Sequence, residues 1–324
     1  MKKIIKTCGL IVLFFQTTYA FSSSNVHLYN PLFITPVGKT LGSLSFEYDK
    51  GSKELFSSNG TRTRDIETTS MIATTELLFG FMSGVDLGLR AKYWIKDETD
   101  SEVISTGANN VVNEKGFEDI FVIANYMIAD NMANLGLRMD VHMEFSPGLQ
   151  TSEVGKTTTD GTKARGGHFA NFEVNLGKNN AKHLGYKFTG GIEWTGEIER
   201  ESPTSSVIEE KYDSTLDFYG GAQFKYLASD VFALGFEGEF KKLATRSQTD
   251  ATGFVLEYDT RNQITAGIDM DFLSPGAQTP MEFILEFDYI YLSDQDIKTT
   301  AGTRTSSYGS ENSIKVGLTG KMIF

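Results

Sequence analysis

The sequence is short of four things. It has one cysteine, Cys8, so no intramolecular disulfide can form. It has four histidines, and no His/Cys metal spacing occurs. No apolar run approaches the roughly 20 residues that a membrane-spanning helix needs. The charge is acidic, with 30 Lys and Arg against 42 Asp and Glu for a net −12, which excludes a basic nucleic-acid binder. Proline is sparse at 6 residues and the mean hydropathy is −0.22. By these averages alone the chain reads as an acidic soluble protein.

What is abundant points elsewhere. There are 24 Phe, 13 Tyr and 32 Gly in 324 residues, a pairing that suits many β-strands separated by turns. The first twenty residues have the layout of a secretory signal peptide. Lys2, Lys3 and Lys6 give a positive start, Gly9 to Phe15 an apolar core, and Thr18-Tyr19-Ala20 a small-residue cleavage site. Cleavage there removes Cys8 and three lysines, so the charge of −12 becomes −15.

Beyond it, helical periodicity is scarce and period-two alternation is general. From Leu135 through Leu137, Met139, Val141, Met143 and Phe145, each odd position is apolar and each even one small or polar. The same pattern runs from Leu216 to Tyr226, from Phe232 to Phe240 and from Met281 to Tyr291. About twelve segments result: 41–50, 67–79, 85–97, 117–128, 133–146, 167–177, 183–198, 213–228, 231–246, 259–273, 281–293 and 312–324. Each approaches or exceeds the roughly 9–11 residues of a tilted membrane strand.

The connections alternate in length. Long ones are expected at 51–66, 98–116, 147–166, 199–212, 247–258 and 294–311, and short ones at 80–84, 129–132, 178–182, 229–230 and 274–280. This sorting is that of an all-β, up-and-down antiparallel transmembrane barrel of about twelve strands, with short periplasmic turns and long outer loops. Residues 1–20 are then the signal, 21–40 a periplasmic N-terminal segment without an obvious plug, and 41–324 the barrel. The expected location is the outer membrane of a Gram-negative bacterium, with outer-membrane lipid and lipopolysaccharide as surroundings. A monomer is expected, with no cofactor and no nucleic-acid partner.

Parity assigns the two faces. Tyr126, Tyr186, Tyr226, Phe272 and Phe324 fall at periplasmic strand ends, and Tyr48, Tyr93, Trp194, Tyr289 and Tyr291 at outer ends, as two interfacial aromatic girdles. Inward acids are Glu47, Asp86, Asp119, Asp140, Glu144, Glu173, Glu193, Asp217, Glu237, Glu239, Asp269, Asp271, Glu282, Glu286 and Asp288. Inward bases are Arg90, Lys92, Arg138, Lys187, Lys225, Lys241, Lys315 and Lys321. A net acidic bore of this kind favours cations. His142 shares the inward face with Asp140, Glu144 and Ser146.

The chain ends in an alternating strand from Ile314 to Phe324. With Met322 and the terminal Phe324, it resembles the C-terminal signal that the barrel-assembly machinery reads.

Three stretches carry a further resemblance. They are Gly80-Phe-Met-Ser-Gly-Val-Asp86-Leu-Gly-Leu, Gly116-Phe-Glu-Asp119-Ile with Asn125-Tyr126, and Leu135 to Ser146-Pro147-Gly148. Over about 77–150 they resemble the outer-membrane barrel family named for the phenol-degradation meta-pathway. The resemblance implies an outer-membrane barrel for uptake of small or apolar compounds, and it supplies no catalytic residues.

The expected function is a passive channel or uptake pore for a small-molecule solute. Two alternatives stand beside it. One is a closed-lumen structural or adhesive barrel acting through its outer loops. The other is an outer-membrane hydrolase, for which His142 would need a nucleophile beside it. Asp294-Gln-Asp296 and Asp97 to Asp100 are the acidic loop pieces with some capacity for calcium.

Overall fold

The structure, a computed structural model, describes residues 31–132, 136–148, 152–153, 166–179, 184–202, 205–274 and 279–324. The signal peptide, His27 and His183 lie outside these residues.

The described chain forms twenty strands in one sheet. They begin with β1 (Thr40–Ser57), β2 (Arg62–Met82), β3 (Val85–Val103), β4 (Ala108–Phe117), β5 (Phe121–Met132) and β6 (Leu137–Ser146). Next come β7 (Ser152–Glu153), β8 (Phe169–Asn179), β9 (Leu184–Thr195), β10 (Ile198–Ser202), β11 (Ser205–Tyr212), β12 (Thr215–Ser229) and β13 (Phe232–Leu243). The last are β14 (Arg246–Asp250), β15 (Val255–Tyr258), β16 (Arg261–Leu273), β17 (Met281–Leu292), β18 (Gln295–Thr299), β19 (Arg304–Tyr308) and β20 (Glu311–Ile323).

Around the barrel the antiparallel order is β1, β2, β3, β5, β6, β8, β9, β12, β13, β16, β17, β20, and then β1 again. That is a closed ring of twelve staves. Closure matters because apolar surroundings offer no partner for an open edge. The seam is the β1–β20 ladder, which Phe324 extends at its short-turn end. Phe324 N–H donates to Thr40 O at 3.0 Å, and Thr40 N–H donates to Phe324 O at 2.9 Å.

The remaining short strands correct the long-loop reading. Five of the six long connections are hairpins that continue the staves. The described tips are four-residue turns at 58–61, 104–107, 251–254 and 300–303. The first of these places Gly60 at φ 81° and the third places Gly253 at φ 83°, where a side chain would be strained. These hairpins pair side by side, β10–β11–β14–β15–β18–β19–β1, into an outer tier. β7 adds to β10 in parallel. The tier is set off from the barrel by breaks in six successive staves, at 196–197, 213–214, 244–245, 259–260, 293–294 and 309–310. A seventh break, at 118–120, separates β4 from β5 and removes Asp119 from its expected strand.

Of the N-terminal segment assigned to 21–40, residues 31–39 lie inside the short-turn end of the barrel. Leu32 and Thr35 are each 2% exposed. Pro31 packs at Gly185 on β9, and Leu32 at Gly177 on β8. Pro36 O sits 2.1 Å from where a Cβ on Gly80 of β2 would be, so only glycine admits this approach. Gly38 N–H then donates to Gly80 O at 2.8 Å. The segment thus runs as a chord from the β8–β9 side to the β2–β3 side. Leu41, Leu78, Ile123 and Ile323 form an apolar cluster there, with Phe33 packed on it.

Candidate functional site

Strand alternation sorts the barrel's side chains. One set is apolar and exposed: Phe46, Phe79, Leu89, Phe145, Phe188, Phe218, Phe236, Ile268, Phe283 and Leu318 are representative. A solvent-exposed belt of this kind suits hydrocarbon. Of the expected girdle, Tyr48, Tyr126, Trp194, Tyr226, Phe272 and Tyr289 are exposed on this face, as is Phe324. Tyr93, Tyr186 and Tyr291 are half-buried. Tyr93 meets Phe117 edge-on at 4.8 Å. Met322 pairs with Gly42 of β1 and Met281 of β17.

The alternate positions form the concave wall, and there polar groups find one another. On β2, β3, β5 and β6 they make a continuous chain. Thr35 N–H donates to Asp86 Oδ2 at 2.9 Å, and Asn125 Nδ2 donates to Asp86 Oδ1 at 2.6 Å. His142 Nδ1 faces Asn125 Oδ1 at 2.6 Å, and His142 Nε2 faces Glu144 Oε1 at 2.8 Å. Arg90 pairs with Glu144 and donates through Nε to Glu76 Oε2 at 3.0 Å. Both ring nitrogens of His142 are occupied, and among the described residues no Ser, Thr or Cys is hydrogen-bonded to it. Beside this chain Phe121 meets Phe169 edge-on at 5.6 Å. Arg90 and Lys92 stand over the Phe121 ring at 5.9 and 5.4 Å.

Farther round, Arg138 approaches Asp140 at 3.7 Å. Tyr219 donates to Asn171 Oδ1 at 2.8 Å and lies over Gly191. Lys241 bridges Glu193 at 2.9 Å and Asp217 at 3.9 Å. Lys225 pairs with Asp271 at 2.8 Å and also with Asp269, while Lys321 reaches Glu282 at 3.3 Å. Lys315 holds Asp288 at 2.7 Å. Glu237 sits within 3.5 Å of Gln223, and Glu286 lies over Gly317. Glu47 stands opposite Gly317 in register, Lys187 opposite Gln223, and Glu239 opposite Gly221.

Two features of this wall matter. First, apart from Arg138–Asp140 and His142–Glu144 within β6, these ion pairs join neighbouring or next-but-one staves. Lys225 of β12 reaches Asp271 of β16 over the small Ala233 and Gly235 of β13. The charged side chains lie along the wall, and inward glycines make the room. Second, the acids outnumber the bases, and Asp49 and Glu76 add to those named from parity. Both follow from the same alternation in β1 and β2. The irregular run 67–79 obscured Glu76. The Asp86–Thr35 bond has no signal in strand periodicity.

In the outer tier, three tyrosines that the sequence reading did not single out, Tyr212, Tyr258 and Tyr308, lie on one face of alternate strands. Tyr212 donates to Glu210 at 2.9 Å and Tyr258 to Gln248 at 2.5 Å. Burial, then the Glu210 carboxylate, push the Tyr212 phenol up to about 12. Burial raises Tyr258 as well, with Tyr308 and Tyr212 as its neighbours. Of the acidic pieces considered for calcium, Asp294 is exposed and Asp296 pairs with Arg304 at 3.1 Å. Asp97 to Asp100 lie within β3. Among the described residues no group of three or more His, Cys, Asp or Glu is placed to hold a metal ion.

No family model matches the chain, and no curated protein is similar to it in sequence. Among solved structures it is similar to an outer membrane channel from Pseudomonas putida F1. The TM-score is 0.53 at 11% identity, over 93% of this chain and 100% of that one. Weaker likenesses are to the translocator domain of autotransporter NalP from Neisseria meningitidis, at TM-score 0.47, 11% identity, and 89% and 90% coverage. A TodX monoaromatic hydrocarbon channel mutant gives 0.45 at 9% identity, with 90% and 92% covered. What the chain shares with the Pseudomonas channel is its fold, the closed antiparallel barrel of outer-membrane proteins.

Proposed function

We propose that the chain is a channel in the outer membrane of a Gram-negative bacterium, through which small solutes pass passively. The observation that carries this is the combination of an exposed apolar belt with a charged wall whose ion pairs link nearby staves along the wall. Segment 31–39 narrows the short-turn mouth, which on this reading faces the periplasm, with the outer tier facing outward. The excess of acids makes the bore prefer cations. Residues 1–20 direct export, and Met322 and Phe324 present the last strand to the assembly machinery. The barrel works as a monomer among lipid and lipopolysaccharide. His142, on the wall, has both ring nitrogens engaged by Asn125 and Glu144, which favours passage over catalysis.

Planar-bilayer recording tests the reading. The chain from residue 21 conducts in small steps, deletion of 21–39 enlarges them, and a salt gradient gives a reversal potential of cation sign. A folded barrel that conducts in neither form overturns the channel and leaves the closed-lumen alternative. An anion-sign reversal overturns the charge assignment alone.

A further inference from the structure

The outer tier carries a pattern that the barrel does not need. In three successive hairpins the descending strand ends in tyrosine, directly above the break. Tyr212 precedes Asp213-Ser214, Tyr258 precedes Asp259-Thr260, and Tyr308 precedes Gly309-Ser310. Register puts all three on one face of the tier. Tyr212 pairs with Gln248, and Arg246 with Tyr258. Tyr258 pairs with the buried Ile297, and Gln295 and Leu55 both pair with Tyr308. That face is the inner one, because Leu55 and Lys53 continue the inward parity of Glu47 and Asp49. The three half-buried rings therefore form an arc at one height above the barrel mouth.

The polar groups around the arc are of two kinds. Some are already satisfied. Glu210 is held by Tyr212 and by Arg200 at 3.4 Å, and Gln248 by Tyr258. Glu311 is held by Arg261 at 3.1 Å and Lys53 at 3.6 Å. Others are not. Arg246 has its guanidinium 5.8 Å from the Tyr212 ring and no carboxylate partner among the described residues. Arg64, whose charge acts on Tyr308, has none either. Lys53 stands 5.1 Å over the Tyr308 ring. What the arc offers an incomer is thus ring faces, the apolar Leu55 and Leu256, and two guanidiniums that no carboxylate holds among the described residues.

We propose that this arc is a binding site for a flat ring carrying one carboxylate. Ring faces and aliphatic groups bury the body of such a ligand, and aromatic pairs favour offset or edge-on contact. An unpaired guanidinium takes the carboxylate through two parallel N–H donors. A polyhydroxylated ring fits less well, because the side chains that would read its hydroxyls are bonded to each other. The site gives the outer mouth a chemistry opposite to the acidic wall below. It rests on the channel reading only in making the ligand a solute on its way in.

Benzoate is the probe, with refolded chain 21–324 in detergent micelles and equilibrium dialysis as the readout. Saturable benzoate binding is expected, weakened roughly tenfold or more in R64Q/R246Q and in Y258L. Benzyl alcohol and cyclohexanecarboxylate bind correspondingly worse. Heat-modifiable migration on gels establishes that each variant is folded, and R64Q/R246Q serves if Y258L is not. Binding that is absent from folded wild-type protein, or unchanged in R64Q/R246Q, overturns the site. Glucuronate binding as tightly as benzoate overturns the flat-ring assignment. A barrel that binds benzoate without conducting refutes the channel and leaves the site. One that conducts without binding refutes the site alone.

Discussion

At the scale of single residues, the concave wall is governed by who supplies counter-charge. Lys225 is 5% exposed and sits between Asp269 and Asp271, with Ala233 and Gly235 beneath it. The Lys225 ammonium is the counter-charge that both carboxylates share. Lys225→Met preserves length and apolar bulk but leaves both aspartates uncompensated. Losing one partner of a buried ion pair costs about 3–5 kcal/mol, so the variant unfolds at markedly lower denaturant in lipid vesicles. An unchanged midpoint would mean that water, not Lys225, solvates the pair. These partners were legible as inward residues from alternation alone. Their pairing was not, because parity fixes a face and says nothing of which stave a long side chain leans toward.

At the scale of elements, the outer hairpins are paired with one another and pinned at their tips. Asp250 starts the β14–β15 tip. It accepts from the Thr252 hydroxyl and from the amides of Phe254 at 2.9 Å and Thr252 at 2.8 Å. These hydrogen bonds favour the ionised form and hold its carboxyl below the usual aspartate value. The group therefore stabilises the tip at any pH above the ordinary carboxylate range, and that contribution is lost as pH falls through its depressed value. Hydrogen exchange of the Phe254 amide should be protected at neutral pH and lose protection in strong acid. In Asp250→Asn the acid step disappears.

These hairpins are also where reading the sequence fell short. Ser205–Tyr212 and Arg246–Asp250 are rich in Ser, Thr, Glu and Gln, so they resemble loops. A strand wet on both faces has no apolar alternation to display. The tips Asn59-Gly60 and Thr252-Gly253 were the available sign, since a glycine at a tight turn between β-formers marks a hairpin. Likewise Leu32 to Pro36 carries no period at all, and only the glycines opposite it register its presence.

For the whole molecule, twelve staves, closure and the sorting of short and long connections were visible from period and parity. The belt of exposed phenylalanines is the part that commits the molecule to lipid. Phe236 lies in it at 48% exposure, beside Phe224 and Ile268 in register. Phe236→Arg places a charge on that surface and should cost about 2–4 kcal/mol if the site is near the bilayer midplane. Folding titrations in vesicles measure it. Gln223→Arg, on the opposite face of the neighbouring stave, should cost little. Equal costs would refute the assignment of the two faces.

The outer tier has one more property. Among the described residues β4 pairs with β3 alone, while β10 carries only the two-residue β7 on its far side. The barrel below is a closed hoop, but among the described residues the tier above it is a split washer, open between β4 and β10. A hoop widens only by breaking hydrogen bonds. A split washer widens by bending. The three tyrosines therefore ride on a tier that, among the described residues, is more compliant than the hoop, and the arc they form can seat rings of different girth on an unaltered barrel.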